Sequence, residues 1–105
     1  MGHITIRLML YYAIQNANAE ILEEIINCKA DVNVTNNTGE TVLHLAVRNV
    51  NETKVKLLLK HDADVYLANK DNETSLHYAI RNANAEILEE IINCKADVNA
   101  KNRKG

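Results

Sequence analysis

The chain has 105 residues, 47% of them apolar and 25% charged, with a formal net charge of −2 at pH 7. That is room for one domain with a modest core, and the charge balance gives no electrostatic reason to expect nucleic acid or an anionic membrane as partner, since both call for clustered positive surface. Two cysteines, Cys28 and Cys94, form no metal or redox spacing, and a reducing intracellular setting, cytoplasmic in the first instance, is the simpler expectation.

The opening stretch MGHITIRLMLYYAI is apolar but does not read as a leader. Arg7 interrupts what would have to be an unbroken apolar core, and Ile6 stands where a myristoylation signal carries Ser or Thr. No segment approaches the length of a membrane span. The stretch runs instead into Leu10, Ala13, Ile14 and Ala17, whose spacing predicts a helix with one apolar stripe, its alanines small enough to let a neighbouring backbone come close. Asn18 then predicts an N-cap, Glu20 a favourable first-turn charge, and Leu22, Ile25 and Ile26 a second helix.

The same order recurs twice. A polar turn at Asn36 to Glu40 leads to Thr41 as a cap, then Leu43, Ala46, Val47 and Val50; Asn51 and Glu52 open a helix with Val55, Leu58 and Leu59. A turn at Asn69 to Glu73 leads to Thr74, then Leu76, Ala79, Ile80 and Ala83; Asn84 and Glu86 open a helix with Leu88, Ile91 and Ile92. Residues 16–33 and 82–99 both read NANAEILEEIINCKADVN, an offset of 66, and ETVLHLAVRNV (40–50) matches ETSLHYAIRNA (73–83) at an offset of 33. Residues 1–105 are therefore expected to form a single domain of three units, about 3–35, 36–68 and 69–101, with 102–105 beginning a fourth. Self-similarity at this period marks a stacked solenoid.

On the elements TVLHLA (41–46), TSLHYA (74–79) and ADVN (30–33 and 96–99), the chain resembles the ankyrin repeats. The resemblance implies an all-α solenoid of helix-turn-helix units with projecting β-hairpin loops. It also implies that the imidazoles of His44 and His77 brace one turn against the next. There are departures. The chain has no proline, and Lys29, Asp62 and Lys95 stand where the family places glycine. If those positions keep a left-handed backbone, each costs about 1 kcal/mol relative to glycine. The first unit carries Leu8-Met9-Leu10-Tyr11 where the others carry Thr-x-Leu-His, which puts its first cap and hairpin in question.

What the resemblance implies for function is a non-catalytic protein-binding module without cofactor or metal, contacting a protein partner through the concave face of first helices and loops. The exposed positions map to Arg7, Gln15 and Asn16; to Asn37, Thr38, Glu40, Arg48 and Asn49; and to Lys70, Asp71, Glu73, Arg81 and Asn82. They form a Gln15, Arg48, Arg81 row and an Asn16, Asn49, Asn82 row, and arginine flanked by amides suits carboxylates and backbone groups. The alternative is a structural array segment that contacts other chains, its own copies included, through uncapped ends. Ile4, Ile6, Leu8 and Met9 leave the first unit without a polar outer side, and Gly105 is the equivalent of Gly39.

Other chemistry reads as architecture. His3 and His61 lack paired ligands, and Cys28 and Cys94 lie two units apart, too far for a disulfide. Glu20, Glu23 and Glu24, with their copies Glu86, Glu89 and Glu90, read as solvated helix faces rather than metal carboxylates. No phosphate loop or nucleophile motif occurs, so no enzyme is expected. Asn33 and Asn99 resemble positions that an asparaginyl hydroxylase modifies in ankyrin proteins; read from the residues, they are turn positions. On the convex side Glu23, Lys56 and Glu89 alternate in sign from unit to unit, with Lys54 and Lys60 counted on the basic middle helix.

Overall fold

The computed structural model describes residues 5–28 and 30–104, with side chains to residue 94. Six helices follow in order: α1 (Ile6–Asn16), α2 (Ala19–Asn27), α3 (Val42–Arg48), α4 (Glu52–Lys60), α5 (Ser75–Asn82) and α6 (Ala85–Lys104). They pair as α1/α2, α3/α4 and α5/α6. The first helices form one row, α1 on α3 on α5, and the second helices another, α2 on α4 on α6.

Local chemistry sets where the helices begin. The side chains of Asn18, Asn51 and Asn84 accept from the backbone N–H of Ile21, Lys54 and Ile87, at 3.0, 3.1 and 2.9 Å. Each satisfies a donor that the first turn leaves unpaired. In the first unit the cap has moved: Thr5 accepts from the Leu8 N–H at 3.1 Å, so α1 starts a turn earlier than α3 and α5. The stripes then do what their spacing demands. Leu10, Leu22, Leu43, Leu58, Ile87 and Ile91 are fully buried, each contributing about 1.5–3 kcal/mol of apolar burial.

Three features depart from the sequence reading. Among the described residues no strand forms; the projecting segments are tight turns, because the Asn36 and Asn69 side chains take backbone N–H groups that a ladder would use. Asp62 is left-handed, as expected for a glycine position (φ 67°), whereas Lys95 lies within α6, which runs through 96–99 as helix and takes in most of the expected fourth turn. In the first copy the same CKADVN segment leaves the helix after Asn27. There Val32 is buried, and the Asn33 side chain accepts from the Asp64 N–H of the next unit at 2.7 Å. Lys29, His3, Ile4 and Gly105 lie outside the described residues.

Lys54 is the third departure. It is 6% exposed, not on the convex surface, and its ammonium donates to the carbonyls of Ile14 (2.8 Å) and Ala13 (3.4 Å) at the C-terminal end of α1. A cation there meets carbonyls of the last helical turn and the negative end of the helix dipole.

Candidate functional site

The two polar turns are built alike and stacked. The Asn36 carboxamide oxygen accepts from the backbone N–H groups of Thr38 and Glu40, and that of Asn69 from those of Asp71 and Glu73. Gly39 has φ 79°, and a Cβ there would lie 3.0 Å from the Lys70 nitrogen and 3.1 Å from the Asn69 Cα. Glycine is thus required both for the turn and for the approach of the next one. The Lys70 N–H donates to the Thr38 carbonyl at 3.0 Å, joining the turns directly.

Histidine joins them a second way. His44 Nδ1 accepts from the Thr41 N–H at 3.0 Å, which leaves the proton on Nε2, and Nε2 donates to the Glu73 carbonyl at 2.8 Å. In the first unit Tyr11 stands at the same grid position. Its hydroxyl reaches the carbonyls of Glu40 and of Val34, the latter at 2.9 Å. Burial pushes the Tyr11 phenol up to about 12.

Behind the turns lies the arginine row. Arg48 pairs with Glu40 at 3.0 Å, and Arg81 pairs with Glu73. Glu40 is buried and also accepts from the Tyr78 hydroxyl at 2.7 Å, while Tyr78 in turn accepts from the Asn69 amide at 2.9 Å. Burial would raise the Glu40 carboxyl, but the Tyr78 hydrogen bond and the Arg48 charge outweigh it and hold the group below the usual carboxylate range. Burial and the same hydrogen bond raise Tyr78. The Tyr78 ring meets His44 edge-on at 5.3 Å and lies under the Arg81 guanidinium at 5.5 Å. Arg48, Tyr78, Arg81 and Asn82 enclose a hollow of about 270 Å³ between α3 and α5.

The structure sorts the residues expected at a partner surface into two groups. Glu40, Glu73, Arg48 and Arg81 are engaged with each other, Thr38 with Asn36 and Glu40, Asn16 with its own helix, and Asn82 with the carbonyls of Val47 and Arg48. Gln15, Asn37, Asn49, Lys70 and Asp71 are exposed, and no intrachain side-chain bond engages them among the described residues. Of these positions the hollow brings together Arg48, Arg81 and Asn82. Tyr78, which floors it, was not among the residues expected there; the repeated Glu-to-Arg spacing of eight (40 to 48, 73 to 81) would have pointed to what surrounds it.

On the convex side Glu23 meets Lys60 at 3.8 Å and His61 at 3.5 Å, and Lys56 meets Glu90, rather than Glu89, at 3.9 Å. Where like charges adjoin, they are felt: a hydrogen bond to Glu52 raises the Glu86 carboxyl. Cys28 and Cys94 are not joined in a disulfide. Among the described residues no helix is long and apolar enough to cross a membrane, and no three potential metal ligands cluster.

A family model described as ankyrin repeats, in three copies, matches residues 10–102. No curated protein matches the chain.

Proposed function

The chain belongs to the ankyrin-repeat family, and from that premise we propose that it binds a protein partner through the concave surface of α1, α3 and α5 and their turns. Ankyrin repeats are generally protein–protein interaction modules and generally non-catalytic. The observation that carries the reading is the hollow between α3 and α5, where two arginines and an amide surround an aromatic floor. Each guanidinium has five donors in a fixed fork, and its pairing with Glu40 or Glu73 leaves others for a visitor. Because each arginine is already neutralised within its unit, the hollow suits a segment offering backbone carbonyls and other neutral acceptors. Gln15, Asn16, Asn49, Asn37, Thr38, Lys70 and Asp71 extend the contact along the rows. Two cysteines that no disulfide joins fit a cytoplasmic setting.

The test is charge reversal at Arg48 and Arg81. Loss of a captured partner, with the helical circular dichroism intact, supports the concave surface; unchanged binding removes it.

A second reading, contact with other chains through the ends of the stack, draws on a different observation. Ile21 and Ile80 are exposed, while their equivalents Ile87 and Val47 are buried between units.

A further inference from the structure

The face of the first unit turned away from the second has a counterpart inside the molecule. Leu8, Met9, Tyr12, Ala17, Ile21 and Ile25 line a hollow of about 520 Å³ there. Tyr12 is 71% and Ile21 52% exposed, yet their equivalents two periods on, Tyr78 and Ile87, are 7% and 1% exposed because the second unit covers them. Ala17, Ile21 and Ile25 belong to the very run repeated as Ala83, Ile87 and Ile91. Identical residues that need cover in one place need it in the other, and the cover used in the third unit is the α3/α4 face of the second.

Charge narrows the occupant. At the interface between the second and third units, Lys56 reaches Glu90. The equivalent of Glu90 on the bare face is Glu24, so a covering unit with lysine at the place of Lys56 meets an opposite charge. A second copy of this chain would present its third unit, which has Glu89 at that place. Glutamate would then face glutamate, a juxtaposition that selects against the pairing.

Resting on the second reading above, we propose that this face docks a repeat unit of another chain whose second helix carries lysine at the position of Lys56, and that it discriminates against a second copy of itself through Glu24. Tyr12 would take the role of Tyr78, donating to a glutamate placed as Glu40 is.

The experiment uses the 105-residue chain throughout, with labelled wild type as receptor. One probe is the Ile21→Glu, Glu89→Lys chain, whose own bare face is blocked and whose far face is basic. The other is Ile21→Glu alone. By sedimentation velocity at low salt the basic probe should bind about fivefold more tightly, the difference should shrink at high salt, and Glu24→Lys in the receptor should reverse the preference. Equal binding of both probes, abolished by Ile21→Glu or Tyr12→Glu in the receptor, would overturn the charge selection and leave docking at the ends standing. Binding that survives both receptor changes, or no binding by either probe, would overturn the docking reading itself. Circular dichroism of each variant establishes that it is folded.

Discussion

The hydroxyl of Tyr11 reaches the carbonyl of Glu40 in the same relation that His44 Nε2 bears to the carbonyl of Glu73, one unit further on. What the stack requires at this position is a donor at a fixed height above the next turn, and two different side chains supply it. Tyr11→Phe should therefore cost about 1 kcal/mol of stability, read as a lower urea midpoint. The phenol's raised pKa sets a window. Stability from Tyr11 is fully present below the unfolded value of 10.0 and is lost as pH rises from there to about 12. Urea titrations between pH 9 and 12 should show the wild type losing its advantage over Tyr11→Phe across that range.

Glu40 makes the opposite prediction at the acid end. Its carboxyl is held below the ordinary range, so its contribution is present above the unfolded value of 4.5 and lost as pH falls through the lower folded value. Glu40→Gln keeps the shape but removes the charge that Tyr78 and Arg48 address. It should cost about 1–2 kcal/mol at neutral pH, and thermal melts of the two proteins should converge on acidification.

Val50 and Asp62 sit at φ 54° and 67°. Both are exposed, so little packing is lost on truncation. Val50→Gly and Asp62→Gly should each stabilise the fold by about 1 kcal/mol, raising the melting temperature by about 4–8 °C. No gain at either site would mean that the left-handed strain is offset elsewhere.

Lys54 is isolated by a pair of substitutions. Lys54→Ala removes both the buried stem and the cap on the Ile14 carbonyl, and should cost about 2–4 kcal/mol. Lys54→Ile, which installs the residue found at positions 21 and 87, should cost under about 1.5 kcal/mol, because apolar packing is restored and only the carbonyl contacts are lost. Denaturant midpoints of the two variants measure the split.

How much of this was legible follows from how far each interaction reaches along the chain. The Asn18, Asn51 and Asn84 caps bond within three residues, and their spacing alone exposes them. The His44 brace was legible through the resemblance to ankyrin repeats, its recurrence at His77 marking the position as architectural. Tyr11 escaped because a pattern compares residue types, while the turn needs only a donor. Lys54 escaped because lysine on a helix reads as surface, and its reason for being buried lies in the carbonyls of a helix some forty residues earlier. At the arginine row, Arg48, Arg81 and Asn82 could be placed on one face from their register. That Glu40 is buried beneath Tyr78 could not, since that pairing depends on how two units dock.

The eighteen-residue run also takes two shapes at its start. Ala17 has φ −109°, whereas Ala83, the same residue of the same run, has φ 53°. Asn82 beside it bonds to the carbonyls of Val47 and Arg48 on the preceding unit, while Asn16 bonds within its own helix. One substitution should then have opposite signs in two indistinguishable contexts. Ala83→Gly should relieve a left-handed backbone and stabilise by about 1 kcal/mol, whereas Ala17→Gly only loosens an extended one and should destabilise by about 0.5–1 kcal/mol, as parallel melts would show. A mutational effect measured in one copy is thus no guide to the other, because what a residue tolerates here is decided by its upstream neighbour in the stack.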